Sequence, residues 1–261
     1  MKRWLLPLLA LLSLACYRPR PATIPLRVLR PGDIGDIGDI GNASGVGRHR
    51  NLVVFLPGRG DLPEDFARRG LLATARGAGL DADVWAVDSH LGYFLNQSIL
   101  TRLHEDVIAP ARAQGYERIW LAGISMGAMG ALLYMKEYPG EIAGAVLIAP
   151  YLGEKPLIAE IARSGGLSSW SPGEAGSDFA GRLRALWGFL KDTYASPAPG
   201  TPPLWLGYGT RDRYLESDRL LASLLPAGRV RTEPGGHRWG PWKKLWVDLL
   251  AAGALPRAKT P

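Results

Sequence analysis

The sequence predicts an α/β fold, with a mostly parallel central sheet and helices on both faces. Three observations carry this. Short apolar runs bounded by Gly or Pro alternate with segments of helical periodicity along most of the chain. A serine flanked by glycines, in "GISMG", stands between one such run and the helix that follows it. Two polar loops, "GTRDRY" and "GGHRWGPW", each follow a later run. The chain has 261 residues, 47% of them hydrophobic, which is enough for a large core. Charged residues are only 21%, too few for a disordered polyelectrolyte.

The N-terminus is expected to be separate from the fold. Lys2 and Arg3 precede an apolar run from Trp4 to Leu14. That run is shorter than the roughly 20 residues a membrane helix needs, and it matches a signal-peptide core. It ends in "SLAC", which resembles a bacterial lipobox, although Ser13 stands where Leu or Val is commoner. Tyr17, the next residue, is not the aspartate associated with inner-membrane retention. Residues 1–16 are thus expected to be a signal peptide with Cys16 as the lipid attachment. This predicts a cell-envelope protein held to a membrane, on the outer-membrane or periplasmic side. A plain secretory signal is the alternative. Cys16 is the only cysteine, so no internal disulfide is available.

Residues 17–50 are rich in Pro and Gly and are expected to be a linker, with an early strand around Leu26 to Leu29. Its tandem "GDIGDIGDIG" is too short for a repeat architecture. Asp33, Asp36 and Asp39 lack the twelve-residue pattern of a calcium loop, so no metal is expected there.

The folded domain is expected over 51–255, with 256–261 as a tail. "NLVVFLPG" is a strand buried on both faces. "DLPEDFARRGLLATARGAG" is an amphipathic helix ended by glycine. "ADVWAVDSH" is a strand. "SILTRLHEDVIAPARAQG" is a helix bent at Pro110. "ERIWLAG" is a strand, "MGALLYMKEYPG" a helix, and "AGAVLIAP" a strand. Strands at Leu204 to Tyr208 and Val230 to Thr232 follow, and helix "PWKKLWVDLLAAG" closes the domain. Between them, about 154–202 is an insertion with two helical segments. In the second, Phe179, Leu183, Leu186, Trp187 and Leu190 form one apolar stripe.

Ser125 therefore sits on a strand-to-helix turn. Such a turn needs small neighbours, here Gly123 and Gly127, and aims a helix N-terminus at the reacting centre. A serine hydroxyl is a weak nucleophile and needs a base. Asp212 and His237 follow in later loops, in the order Ser, Asp, His. Here the chain resembles the α/β-hydrolase family, from Asn51 to about Gly253. The resemblance implies Ser125 as nucleophile, His237 as general base and acid, and Asp212 as its orienter. It implies an oxyanion hole from the backbone of Met126 and of Arg59, with Gly60 the alternative to Arg59. It implies a helical cap formed by the insertion, and Trp170 and Trp187 as substrate contacts. Asp88 is the competing acid, while Glu216 and Asp218 read as solvated or capping residues.

The function expected is cleavage of a carboxylic ester, or of a thioester or amide, in a small-molecule substrate through an acyl-enzyme. No metal or organic cofactor is implied. A non-catalytic envelope binding protein on the same fold is the alternative. The formal charge of +7 comes from scattered arginines without a nucleic-acid-binding motif, so no nucleic-acid partner is expected. Oligomeric state is left open.

Overall fold

The computed structural model describes residues 20–30, 32–33, 50–174 and 176–258. The signal-like segment, Cys16 and most of the Gly-Asp-Ile repeat lie outside them. Among the described residues, seven strands form one sheet: β1 (Val28–Leu29), β2 (Asn51–Leu56), β3 (Asp83–Val87), β4 (Arg118–Ile124), β5 (Gly144–Ile148), β6 (Leu204–Gly209) and β7 (Val230–Glu233). Their order is β1-β3-β2-β4-β5-β6-β7. The short β1 runs antiparallel to β3, and every other pairing is parallel.

The continuous apolar runs follow from burial on both faces. Leu52, Val54 and Leu56 enter one core with Leu121 and Leu147. Val53 and Phe55 enter the other with Phe66, Leu72 and Trp246. Among the described residues, ten α-helices cover these faces: α1 (Asp65–Arg68), α2 (Leu71–Gly77), α3 (Leu91–Leu95), α4 (Ile99–Leu103), α5 (Ala109–Ala113), α6 (Met126–Glu137), α7 (Lys155–Arg163), α8 (Phe179–Tyr194), α9 (Leu215–Ala222) and α10 (Trp239–Ala251). α1, α2 and α10 pack on one face, and α3 through α9 on the other.

Three local features differ from the sequence reading. The single helix expected before β3 is two, because Gly70 adopts φ 84° and turns the chain. The bend expected at Pro110 is instead a π-helical turn just before it, His104–Ile108. Proline has no N–H to continue the α ladder, and the wider turn lets Ala109 donate to the His104 carbonyl. The linker boundary also moves. From Arg20 to Leu29 the chain packs on the domain: Leu26 is buried, its N–H donates to Asp106 at 2.7 Å, and Arg20 forks onto Asp88.

The chain runs from β2 outward to β3, then returns to the other side of β2 as β4. The crevice at such a reversal, beyond the carboxyl ends of the strands, is where open α/β sheets bind ligands. The loop after β2 and the turn after β4 both open there.

Candidate active site

Ser125 joins β4 to α6 with φ 53° and ψ −112°, a conformation that non-glycine residues rarely adopt. Backbone bonds hold it. Its N–H donates to the Ile148 carbonyl at 2.9 Å, and its carbonyl accepts from Met129 and Tyr151, each at 3.1 Å. The flanking glycines are required by contact. A Cβ on Gly127 would collide with the Leu56 and Pro57 carbonyls, and one on Gly123 would stand 2.5 Å from Ala128 Cα. The helix is thereby drawn against the ends of β2 and β4, with the serine at its mouth.

The acid and histidine loops are bonded to each other. Arg211 N–H donates to the Gly235 carbonyl at 2.8 Å, and Thr210 N–H to the Glu233 carbonyl at 2.9 Å. The structure brings Ser125, His237 and Asp212 into one chain of hydrogen bonds. His237 Nδ1 lies 2.9 and 3.0 Å from the two Asp212 carboxylate oxygens. His237 Nε2 lies 2.9 Å from Ser125 Oγ. A carboxylate only accepts, so Nδ1 carries the proton and Nε2 is left to accept from the serine hydroxyl. The Asp212 side chain is fully buried and takes a further bond from Tyr214 N–H at 3.0 Å. Tyr214 and Trp242 meet the imidazole edge to face, each with ring centroids 4.9 Å away. They fix its plane.

Asp88 stands apart from this chain: it is buried and held by Arg20 at 2.8 and 2.9 Å. Glu216 is exposed, but Asp218 is neither solvated nor a cap. It is wholly buried, and neither carboxylate oxygen has a partner among the described residues. Burial, and secondarily the Asp212 charge, pushes its pKa well above the usual carboxylate value.

The two candidate oxyanion donors flank the serine. Met126 is the first residue of α6, where helix N–H groups have no intrahelical acceptor. The Gly58–Arg59 turn lies alongside: a Cβ on Gly58 would be 3.6 Å from Ser125 Cβ. Gly60, with φ 86°, is farther round the same turn.

Two cavities meet at Ser125. One, of about 240 Å³, is walled by Leu91, Phe94, Met126, Met129, Tyr151 and Phe179, with Arg59, Glu154, Arg213 and Tyr214 completing its lining. Through Leu91, Phe94 and Phe179 it continues into a second space of about 240 Å³ ending at Leu95, Gln97 and Arg182. The other cavity at Ser125, of about 500 Å³, is on the His237 side.

The insertion supplies α7 and α8, and the apolar stripe of α8 is buried except at Phe179, which is 45% exposed. Trp170 and Trp187 are corrected as substrate contacts, since neither lines a cavity at Ser125. They anchor the insertion instead. Trp187 is fully buried and donates to the Leu152 carbonyl at 2.9 Å, while Trp170 donates to Glu160 at 2.9 Å. The stripe was legible in sequence, but which of its members faces the pocket depends on the helix's seating. Leu91, Phe94, Tyr151 and Tyr214 carried no spacing signal. They enter the site through a short helix and two loops.

Sheet order, parallel pairing, the serine turn and the inserted helices together define an α/β-hydrolase fold. The sequence profile of a hydrolase family described as serine aminopeptidase, S33, matches residues 49–174, the part that contains Ser125. No curated protein matches the chain by sequence. Among solved structures it is similar to Est1E from Butyrivibrio proteoclasticus, with TM-score 0.54 and 15% identity over 88% of this chain and 92% of that one. It is similar to an S-formylglutathione hydrolase from Agrobacterium tumefaciens, with TM-score 0.54 and 13% identity over 92% and 94%. A ferulic acid esterase gives TM-score 0.54 and 14% identity over 80% and 86%. At such identities the likeness is one of fold. Among the described residues, no helix is long and apolar enough to cross a membrane. Nor does any group of three or more His, Cys, Asp or Glu among them form a metal site.

Proposed function

We propose that the chain is a serine hydrolase that cleaves a carboxylic ester through a covalent acyl-enzyme. The observation that carries this reading is the bonded series from Ser125 Oγ to His237 Nε2 at 2.9 Å and from His237 Nδ1 to Asp212 at 2.9 Å. His237 takes the hydroxyl proton as Ser125 Oγ attacks the carbonyl carbon. Asp212 stabilises the imidazolium that forms. The backbone N–H groups of Met126 and Arg59 receive the oxyanion at the positive end of α6. Collapse breaks the bond to the leaving oxygen, which takes the proton from Nε2. Water, activated by the same imidazole, then releases the acid. Thioesters and amides fit the same steps, and Leu91, Phe94, Met129 and Phe179 offer apolar surface to an acyl group.

Purified protein is expected to hydrolyse 4-nitrophenyl esters of graded acyl length, and Ser125→Ala to abolish this. Retention of wild-type turnover by Ser125→Ala would contradict the proposal. It would favour the non-catalytic reading for the fold and assign the hydrolysis elsewhere.

Cys16 is proposed as a lipid attachment that holds the domain at the cell envelope. Cys16→Ser is expected to lose metabolic fatty-acid label and to leave the membrane fraction. Unchanged fractionation with no label in wild type would remove the anchor from the account.

A further inference from the structure

Acid catalysis fixes which cavity receives which half of the substrate. His237 Nε2 must reach the leaving oxygen to protonate it. The leaving group therefore occupies the cavity that His237 lines, and the acyl group the one lined by Leu91, Phe94 and Phe179, which His237 does not touch.

The two cavities share Arg59 and Arg213, but only the His237 side adds Arg238, and only the other is lined by Glu154. The rim on the His237 side carries the guanidinium groups of Arg59, Arg213 and Arg238. The one carboxylate lining it is Asp61, whose Oδ1 accepts from Trp239 Nε1 at 3.0 Å. Burial raises the Asp61 pKa above the usual carboxylate value. Arg213 lies 5.0 Å over the Tyr214 ring, and neither it nor Arg238 is paired with a carboxylate among the described residues. Other arginines, such as Arg20, Arg68 and Arg184, are held by carboxylates. Glu154 lines the other cavity, where its carboxylate accepts from the Tyr151 hydroxyl at 2.5 Å.

Resting on the proposed acyl-enzyme reading, we infer that the ester's alcohol half is anionic, carrying a carboxylate or phosphate met by Arg213 and Arg238. Guanidinium groups pair with such oxyanions in a planar, two-bond geometry. Both arginines are solvent-exposed, so their effect falls on substrate capture and is screened by salt.

The test uses two butyrate esters that form the same butyryl-enzyme. One releases 5-hydroxy-2-nitrobenzoic acid, and the other its neutral carboxamide. At low ionic strength kcat/KM is expected to favour the carboxylate ester by about tenfold, two exposed charge pairs each contributing modestly. About 0.5 M salt shrinks the ratio, and Arg213→Gln with Arg238→Gln brings it close to one. The deacylation rate remains equal for the two esters in each variant, because the leaving group has already departed. A wild-type ratio near one, with cleavage still dependent on Ser125, overturns this inference alone. A ratio that survives both substitutions also overturns it. Failure to cleave either ester overturns the acyl-enzyme reading on which it stands.

Discussion

Asp212→Asn is expected to lower ester turnover by about 10⁴-fold with little change in folding. Both Asp212 oxygens accept from His237 Nδ1–H, at 2.9 and 3.0 Å, in a fully buried setting. An amide there presents N–H to a ring nitrogen. The imidazole responds by moving its proton to Nε2, and the nitrogen facing Ser125 can no longer accept. The imidazolium also loses its counter-charge. Steady-state kinetics at saturating ester, with thermal melts as the folding check, measure this.

Asp88→Asn and Asp218→Asn are the controls. Asp88 contacts Arg20 rather than His237, so its loss should act on stability and leave turnover near wild type. Abolished turnover in Asp88→Asn, with Asp212→Asn near wild type, would reassign the acid. Asp218 has a further signature. Its folded pKa is raised above the ordinary 3.8, so the folded chain keeps a proton that the unfolded chain has lost. Stability then falls as pH rises above about 4 toward the folded pKa. Asp218→Asn removes that slope, and its melting temperature relative to wild type should climb with pH. A flat difference would mean that Asp218 titrates normally.

Gly127→Ala is expected to remove activity and much of the stability together. The added methyl would meet the Leu56 and Pro57 carbonyls, which are backbone and cannot rotate aside. Relief requires α6 to move from β2, and α6 carries Met129, Ala131 and Leu132 into the core. A loss of about 4 kcal/mol or more belongs to this class of forced displacement. Chemical denaturation measures it. Gly60→Ala is the contrast: its Cβ would meet nothing within 4 Å, and only its φ of 86° opposes the change. Equal losses in the two variants would contradict the close-approach explanation.

What could be found from sequence was what depends on neighbours along the chain. β2, β4 and β5 announce themselves because a strand covered on both faces needs apolar residues without alternation. The serine turn was legible because its geometry forces glycine at two fixed offsets. Asp212 and His237 were legible as polar residues in loops after strands, in a fixed order.

What could not be found depends on how elements seat against one another. Asp218 lies on a helix whose spacing allowed a solvated face, yet α9 turns that carboxyl inward against the acid loop. Trp187 shares the stripe with Phe179, and only the docking of α8 leaves Phe179 at the pocket and buries Trp187. The Arg20 to Leu29 stretch looked like linker because its prolines and arginines conceal the few residues, Leu26 and Leu29, that reach the core. The two cavities at Ser125 join residues from distant loops, and no local pattern encodes them.

The central claim is that Ser125 becomes covalently acylated. Treating the purified protein with a fluorophosphonate and mapping its peptides by mass spectrometry tests this most directly. The account predicts one adduct per chain, on the peptide bearing Ser125, absent in Ser125→Ala and formed far more slowly in Asp212→Asn. An adduct on another residue, or none while ester turnover continues, would contradict it.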